Sequence, residues 1–248
     1  MIQDIAGMVG GTTRVQSREL VRGVSIHSKD TRQGDVFFAL KGERTDGHLY
    51  ATEAQKNGAC ALVVERTVIP DKDIVVSDTL YALGELARHY RDLFKPRTIA
   101  ITGTNGKTTV KNIIARTLSR RYRTRFSKKN YNSLIGLPLT IFELCGDDAF
   151  LVVEIGTSSH GEIKRLCDIA QPDFGVITNI GPGHLAGLGS IEGVRKEKMS
   201  LVTAIPADGF ALVGEGVGEV GAPHVHRFNS AMIDDVDVTE NGSYFKCN

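Results

Sequence analysis

A glycine-containing loop between a predicted strand and a predicted helix constrains the fold of this chain more than any other feature. Residues 98–102 form a β-rich apolar run, Gly103-Thr104-Asn105-Gly106 follows, and residues 107–118 carry apolar side chains on one helical face. In such an arrangement the backbone N–H groups of the loop point towards a phosphate, and the helix dipole adds to the attraction. The order of elements predicts an α/β sheet with a phosphate site beyond one strand.

The side chains of this loop predict binding of a nucleotide together with Mg²⁺. Lys107 places a positive charge near the terminal phosphates, and the Thr108 hydroxyl can hold the metal ion. The usual motif has four residues between its first glycine and the Gly-Lys pair, whereas this chain has only Thr104 and Asn105. A glycine turn that happens to precede a helix is the alternative. We favour nucleotide binding because strand, loop and helix follow in the required order.

Strands and helices alternate along the chain, which predicts an α/β fold with mostly parallel sheets and right-handed crossovers. A helix ends before Pro96, because the residue preceding a proline avoids the helical region. We therefore expect a small N-terminal α/β domain at 1–95 and a second, mostly parallel domain at 96–248. The first has predicted strands at 23–26, 36–40, 61–64 and 74–76, and helices at 49–57 and from 79 or 80 to 94. The second has predicted strands at 98–102, 150–153, 176–178, 210–213, 225–228, 236–239 and 244–247, and helices at 107–118, 161–169 and 190–205.

Composition argues against several classes of function. The formal net charge of +1 provides no field that favours nucleic acid or an anionic membrane. No apolar run approaches the ~20 residues that span a bilayer, and the start lacks the basic and apolar segments of a signal peptide. The cysteines include no Cys-x-x-Cys pair and are expected to be isolated reduced thiols: Cys60, Cys145, Cys167 and Cys247. We expect a cytoplasmic protein.

A basic stretch between residues 116 and 129 raises nucleic-acid binding as an alternative. Only two aromatic residues, Tyr122 and Phe126, accompany the basic side chains, and the rest of the chain is balanced in charge. We interpret the stretch as a solvated face, or as an attraction for substrate phosphates. Its basic residues are Arg116, Arg120, Arg121, Arg123, Arg125, Lys128 and Lys129.

Two later strand ends point to the same place as the phosphate loop, because ligands of open α/β sheets bind beyond the carboxyl ends of the strands. Glu154 directly follows the apolar run 150–153, where a lone buried carboxylate is costly, and a metal ion would offset that cost. His184 lies in a glycine-rich loop beyond the strand at 176–178. A histidine there is more often a surface residue than a ligand, but its neighbours make it a candidate ligand.

Lys198 is unusual because it falls within the apolar stripe of a predicted helix. It lies four residues after Val194 and four before Val202. Such a lysine either extends its amine to solvent or is buried with a lowered pKa. A buried neutral amine can react with CO₂ to form a carbamate that holds a metal, and spacing does not choose between these outcomes.

Taken together, these segments resemble the Mur ligases, in which the shortened loop spacing is normal. The resemblance covers nearly the whole chain, since the N-terminal stretch 34–48 is similar to the domain that holds the UDP end of the substrate. The matching segments are Thr102-Gly103-Thr104-Asn105-Gly106-Lys107-Thr108-Thr109, Glu154-Ile155-Gly156, Thr178-Asn179-Ile180-Gly181 with His184, and Gly189-Ser190-Ile191-Glu192-Gly193 with Lys198 downstream.

The resemblance implies ATP and Mg²⁺ as cofactors, and a reaction in which a substrate carboxylate becomes an acyl phosphate that an amine attacks. The implied nucleotide contacts are Gly103, Thr104, Asn105, Gly106, Lys107, Thr108, Thr109 and Asn179. The implied metal ligands are Thr108, Glu154, His184 and a carbamylated Lys198, and the implied catalytic residues are Lys107, Lys198 and His184. The implied substrate contacts are Ser28, Thr45, Asp46, His48, Asn130, Asn132, Thr157 and Ser158.

Within the family, the stretch 130–140 resembles the members that add D-alanyl-D-alanine to UDP-N-acetylmuramoyl-tripeptide in cell-wall synthesis. The segment 157–160 is instead similar to the members that add the third amino acid. The alternatives are a ligase that adds the third amino acid, a folylpolyglutamate synthase, and a nucleotide-binding module without catalytic activity.

Two departures from the family pattern accompany the resemblance. The family commonly has Asp-Ser-Arg where this chain has His27-Ser28-Lys29. Members also carry a third, C-terminal domain, so we expect an incomplete second domain and little or no ligase activity from these 248 residues. A monomer is expected.

Overall fold

The first sheet is built from residues 12–75. The structure is a computed structural model that describes residues 1–15, 19–128, 131–218 and 224–228. The strands of this sheet are β1 (Thr12–Thr13), β2 (Gly23–Ser25), β3 (Asp35–Phe38), β4 (Ala61–Val64) and β5 (Asp73–Val75). Their order is β1-β5-β4-β3-β2; β1 runs antiparallel to β5, and the other four strands are parallel.

Helices cover both faces of the first sheet. They are α1 (Ile2–Met8), α2 (Ala51–Lys56) and α3 (Thr79–Phe94). Val36 and Phe38 of β3 pack on the face shared with α1 and α3, whereas Phe37 packs on the face shared with α2. Because β3 and β4 are buried on both faces, their sequences read as continuous apolar runs rather than alternating ones.

The second sheet carries the phosphate loop and is parallel throughout its described strands. These are β6 (Arg97–Thr102), β7 (Thr124–Phe126), β8 (Phe150–Glu154), β9 (Phe174–Ile177), β10 (Phe210–Gly214) and β11 (Val225–Phe228), in the order β11-β10-β9-β6-β8-β7. The helices that follow β6 are α4 (Lys107–Leu118), α5 (Gly136–Ile141), α6 (Glu162–Ala170), α7 (Leu185–Leu188) and α8 (Ile191–Ala204). The α/β prediction with mostly parallel sheets is confirmed.

The strand order places a ligand-binding crevice at the end of β6. The chain runs from β6 outward to β7 and back to β8, and it then crosses to the other side of β6 to form β9. Connections that leave a central strand in opposite directions open a crevice at its carboxyl end. The loop after Thr102, Glu154 at the end of β8 and the segment after Ile177 therefore meet at one edge.

The sequence located the long elements but missed several short ones. Every strand predicted within the described residues is present, and the predicted helices are found with small shifts in their ends. The missed elements are α1, β1, β7, α5 and α7. Gly136 and Pro138 lower the helix propensity of α5, although a proline in the first turn is tolerated. The strands predicted at 236–239 and 244–247 lie outside the described residues, as does Cys247; Cys60, Cys145 and Cys167 are free thiols, as predicted.

Helix α3 connects the two sheets. It ends as predicted before Pro96, and Lys95 adopts a left-handed conformation with φ +48°. The buried Arg91 donates to the backbone oxygen and the side-chain oxygen of Gln171, each at 3.1 Å, and this joins α3 to the end of α6. The division of domains at residue 95 stays a prediction. Within the described parts of the chain, none of the helices combines the length and apolar character needed to cross a membrane.

Candidate functional site

The phosphate loop has a backbone that requires glycine at its first position. Gly103 has φ +147° and Gly106 has φ +79°, both in the range that favours glycine. A Cβ atom added to Gly103 would lie 1.9 Å from Oγ1 of Thr178. The residue after β9 is therefore too close to the loop for a side chain at this position. Asn105 and Gly106 are exposed, and Gly106 directly precedes α4. The loop therefore presents its backbone to solvent at a helix N-terminus, as a phosphate site requires.

The segment after β9 holds this loop in place. Asn179 accepts the N–H of Asn105 at 3.0 Å through Oδ1 and donates to the Asn105 carbonyl at 3.1 Å through Nδ2. The Thr178 hydroxyl donates to the same carbonyl at 2.6 Å. The Thr104 hydroxyl exchanges hydrogen bonds with the backbone of Gly181. Asn179, predicted as a nucleotide contact, is therefore in the structure a support of the loop itself.

Two lysines converge on one carbonyl at the base of the loop. Nζ of Lys107 donates to the carbonyl oxygens of Gly103 at 2.9 Å and Thr104 at 3.1 Å, and Nζ of Lys198 donates to Gly103 at 3.0 Å. Lys198 is only 3% exposed, so its side chain is buried rather than extended into bulk solvent. Burial, and next the charge of Lys107, lower the pKa of Lys198 to about 8, while Glu197 opposes the shift.

Glu154 has hydrogen-bond partners within the chain. It is 3% exposed; its Oε2 accepts from the Thr108 hydroxyl at 2.7 Å and its Oε1 from Nδ2 of Asn132 at 2.9 Å. The metal ion that the sequence suggested as a partner for this buried carboxylate is therefore not needed to satisfy its hydrogen bonds. The sequence could not reveal this, because Asn132 and Glu154 are brought together by the fold. Thr108 and Glu154 nonetheless place two hard oxygen ligands side by side.

A cavity of about 390 Å³ opens beside the loop and collects many of the predicted residues. The predicted residues that line it are Lys107, Asn132, Thr157, Ser158, His184 and Lys198. His184 is exposed, with φ +54°, and occupies the position before α7 without a side-chain capping hydrogen bond. Thr109 is exposed on α4 outside this lining. Leu80, from the first turn of α3, also lines the cavity and brings it to the edge of the first sheet.

The residues predicted to hold the UDP end lie at the carboxyl edge of the first sheet, outside this cavity lining. His48 is buried and its Nε2 accepts the N–H of Glu65 at 2.8 Å, so its Nδ1 carries the proton facing Asp46 at 2.5 Å. The backbone N–H of His48 lowers the pKa of Asp46 well below its usual range; burial opposes this, and Arg66 adds to the lowering.

Two further substrate candidates make side-chain contacts at this edge. The Ser28 hydroxyl donates to Oε2 of Glu53 at 2.6 Å, and the Thr45 hydroxyl donates to Tyr50 at 3.2 Å. Asn130 lies outside the described residues. The predicted residues therefore form two groups, one at the carboxyl edge of the first sheet and one in the cavity beside the phosphate loop.

Three buried or half-buried charged residues near the site were not predicted. Lys111 is 2% exposed behind the loop. Glu197, next to Lys198, is 3% exposed and accepts the N–H groups of Gly161 and Ile163. Burial raises the pKa of Glu162, but the N–H groups of the preceding loop outweigh that effect and keep it below its usual value. Lys111 and Glu197 could have been found in the same way as Lys198, because each is a charged residue at an inward-facing position of a predicted helix.

Acidic residues lie beside three members of the basic stretch. Arg123 lies 2.8 Å from Asp147, Arg125 lies 3.3 Å from Asp148, and Lys128 pairs with Glu143. These neighbours lower the positive potential of the stretch, which fits the interpretation as a solvated face. Lys129 lies outside the described residues.

Two family models match the chain over these same regions. The Mur ligase middle domain matches residues 101–217, which hold the phosphate loop, Glu154, His184 and Lys198. The Mur ligase family catalytic domain matches residues 20–91, which hold the first sheet from β2 onward. The chain belongs to the Mur ligase family.

Within that family, the similar proteins share one activity in their names. The UDP-N-acetylmuramoyl-tripeptide–D-alanyl-D-alanine ligase of Bacillus subtilis (strain 168) is 38% identical over 258 aligned positions, which cover 98% of this chain and 56% of the relative. The ligase of the same name from Escherichia coli (strain K12) is 35% identical and covers 87% of this chain and 52% of the relative.

Solved structures agree with these relatives. MurF from Acinetobacter baumannii has a TM-score of 0.80 at 32% identity, covering 86% of this chain and 48% of that one. MurF ligase from Thermotoga maritima in complex with ADP has a TM-score of 0.77 at 32% identity, covering 86% and 51%. The chain therefore spans about half the length of the relatives it matches.

Proposed function

We propose that the loop at 103–109 binds ATP and that Lys107 contacts its terminal phosphates. The exposed glycine loop at the start of α4 supports this, since its N–H groups and helix dipole favour a bound anion. Nζ of Lys107 donates to the Gly103 and Thr104 carbonyls, so its positive charge lies at the loop and adds to the attraction for an anion. The Thermotoga maritima relative in complex with ADP is further support.

We further propose that Thr108 and Glu154 hold Mg²⁺, with His184 and Lys198 at a second position. Hydroxyl and carboxylate oxygens are ligands that Mg²⁺ prefers, and here they lie 2.7 Å apart. Across the described residues, no group of three or more histidine, cysteine or acidic side chains forms a metal site. Phosphate oxygens and water would therefore complete the coordination. When bound, the metal would supply positive charge where ATP and a substrate carboxylate meet.

The reaction we propose adds D-alanyl-D-alanine to UDP-N-acetylmuramoyl-tripeptide. A carboxylate oxygen of the tripeptide attacks the γ-phosphorus of ATP, giving an acyl phosphate and ADP. The dipeptide amine then attacks the carbonyl carbon, phosphate leaves, and the nitrogen gives up a proton as the amide forms. Lys107 and the loop N–H groups offset the repulsion between the two anions. The observation that carries the proposal is one cavity lined by Lys107, Lys198 and His184 beside the phosphate loop.

The two sheets divide this work in our proposal. The carboxyl edge of the first sheet, with Ser28, Thr45, Asp46 and His48, holds the UDP end, and the second sheet holds ATP. Leu80 lines the cavity and lies next to Thr79, whose hydroxyl donates to the backbone of Ala39 at 3.2 Å. The tripeptide would extend from that edge towards Asn132, Thr157 and Ser158.

Calorimetry with a non-hydrolysable ATP analogue and Mg²⁺ tests the nucleotide site. We expect Lys107→Ala to weaken binding by at least about tenfold, because a charge-assisted contact is lost. Lys164→Ala removes an exposed lysine that pairs with Asp168 and serves as the matched control. Unchanged binding in Lys107→Ala would remove this loop from the mechanism.

Phosphate release tests the substrates in a chain with the full length of its relatives. We expect release only when UDP-N-acetylmuramoyl-tripeptide and D-alanyl-D-alanine are both present. Release driven equally well by the UDP-muramoyl dipeptide and a third amino acid would favour the alternative ligase. ATP binding without any substrate-dependent release would favour the non-catalytic module.

We also propose that Lys198 reacts with CO₂ to form a carbamate. With a pKa of about 8, its amine is neutral in about a tenth of molecules at pH 7, far more often than an ordinary lysine. The nitrogen lone pair attacks the carbon of CO₂ and a proton is released, leaving a negative group that can hold a cation. Carbon-13 NMR of protein in labelled bicarbonate should show a carbamate signal that Lys198→Arg lacks. The same signal in that variant would disprove the assignment.

A further inference from the structure

The loop that follows β8 forms one wall of the cavity beside the phosphate loop. Thr157 and Ser158 line that wall, and Glu162, from the first turn of α6, lines it beside them. Residues 155–160 lie outside helices and strands, so their backbone N–H groups need other acceptors. The contacts that hold this loop therefore decide where a substrate in the cavity can bind.

Glu162 supplies the acceptor for two N–H groups of this loop. Its Oε2 accepts the N–H of Ser158 at 2.6 Å and the N–H of Ser159 at 3.1 Å, and the Ser158 hydroxyl lies 3.4 Å from both carboxylate oxygens. Burial raises the pKa of Glu162, but these N–H groups outweigh that effect and keep the pKa below its usual value. Hydrogen bonds to an ionised carboxylate are stronger than those between neutral groups. The carboxylate therefore joins two successive residues of the loop to α6.

The backbone on either side of Glu162 is held in turn by α8. Glu197 of that helix accepts the N–H groups of Gly161 and Ile163, each at 2.8 Å. Glu162 cannot follow a shift of the loop without breaking these bonds. Its carboxylate is therefore an anchor whose position is set by α8.

On its other side, the loop packs against α7. A Cβ atom added to Gly187 would lie 1.9 Å from the carbonyl oxygen of Ser158, so the backbones approach too closely for a side chain there. The N–H groups of Gly187 and Leu188 donate to the carbonyl oxygen of His184 at 3.1 and 3.0 Å. A displacement of Ser158 would therefore move α7 and, with it, His184, which also lines the cavity.

We propose that Glu162 is a positioning residue, whose carboxylate sets Ser158 against the cavity and, through the contact of Ser158 with Gly187, sets the position of His184. The inference rests on the proposed function, because the substrate contact of Ser158 and the role of His184 belong to it. Glu162 acts through these residues and not on the reacting atoms. Small displacements of the groups that orient a substrate slow a reaction strongly, so this anchor should affect the use of the tripeptide precursor more than the use of ATP.

Amide hydrogen exchange in the ligand-free chain tests the anchor. In Glu162→Ala we expect exchange at residues 158–159 to be at least about tenfold faster, because their N–H groups lose their acceptor. Exchange at residues 187–188 should also rise, since α7 loses the support of the loop. Glu192→Ala is the matched control: Glu192 is an exposed acidic residue in the first turn of α8, and its removal should leave all four amides unchanged.

Kinetics of a chain with the full length of its relatives test the consequence for the substrate. We expect Glu162→Ala to raise the KM for UDP-N-acetylmuramoyl-tripeptide at least about tenfold, while the KM for ATP changes by less than about twofold. Glu162→Gln keeps one acceptor oxygen without the charge and should give a smaller rise. Gly187→Ala pushes Ser158 from the opposite side and should reproduce the effect of Glu162→Ala.

Exchange at 158–159 that matches the wild type, or a rise confined to these residues without α7, would overturn the proposal. Equal increases in the KM for ATP and for the tripeptide precursor would show a general loss of structure and would also contradict it. If Glu162→Ala does not fold, the same comparisons apply to Glu162→Gln, for which exchange about threefold faster is expected at 158–159. Absence of phosphate release by the full-length wild type would contradict the proposed function, whereas the exchange results would still decide whether Glu162 holds the loop and α7.

Discussion

A single methyl group added at Gly103 tests whether nucleotide binding depends on the backbone conformation of the phosphate loop. Gly103→Ala should destabilise the protein by about 2–4 kcal/mol, because φ +147° is strained for alanine and the added Cβ meets the Thr178 hydroxyl. That hydroxyl also holds the Asn105 carbonyl, so binding of the ATP analogue should be lost. Urea unfolding and calorimetry measure the two effects.

Gly146→Ala is the control for this substitution. A Cβ atom there meets nothing within 4 Å, so the change should be within about 0.5 kcal/mol. If Gly103→Ala bound the analogue as the wild type does, the loop conformation would not matter for binding.

Single residues differ in how far the sequence predicts them. Gly103, Lys107 and Thr108 were predictable because strand, loop and helix adjoin in sequence. For Lys198, helical spacing predicted that the side chain lies on the apolar face of its helix. It could not predict that the side chain is buried, because burial depends on how α8 packs against the loop. The Asn132 amide that satisfies Glu154 was out of reach, since a turn and a strand meet there only in the folded chain.

Helices and strands also differ in how far the sequence predicts them. Strands β4, β6 and β8 are buried on both faces, so their sequences are apolar runs that can be recognised directly. Helices α3 and α4 can be recognised from the regular spacing of their apolar residues. The short β7 lies in a basic stretch and is held by pairing with β8 rather than by its own pattern. Its propensity alone could not predict it, because tertiary pairing supplies the stabilisation.

Helix α6 begins without a side-chain cap of its own, and Glu197 of α8 supplies one. Both carboxylate oxygens accept a backbone N–H at 2.8 Å, one from Gly161 and one from Ile163. Glu197→Gln keeps one acceptor but turns an amide N–H₂ towards the other donor. We expect a loss of about 2–3 kcal/mol in urea unfolding and faster amide exchange at the start of α6. Glu192→Gln, exposed on the same helix, should cost under about 1 kcal/mol, and equal losses in the two variants would contradict the capping role.

At the scale of the whole molecule, the fold joins two sheets through one helix. The face of α3 that carries Leu83 and Leu86 packs on the first sheet, while Ala87 and Tyr90 pack on the core of the second. Arg165 of α6 adds a contact to Glu85 of α3 at 2.7 Å. The sequence predicted both α/β units and the end of α3, but its periodicity could not show that α3 contacts both cores.

Arg91 is a buried contact between these two units. Its removal should therefore let each unit unfold more independently of the other. Arg91→Ala leaves the Gln171 carbonyl without its side-chain donor and removes one of two donors to the Pro96 carbonyl, which should cost about 2–3 kcal/mol in urea unfolding. Arg88→Ala on the same helix is the control: its guanidinium pairs within α3 with Glu85 and should contribute under about 1 kcal/mol. Hydrogen exchange should rise at 91–98 and at the end of α6 in the first variant alone. Equal stability losses, or exchange that rises evenly over both sheets, would mean that Arg91 is not the link, and that the apolar packing of α3 and its ion pair with Arg165 hold the two sheets together.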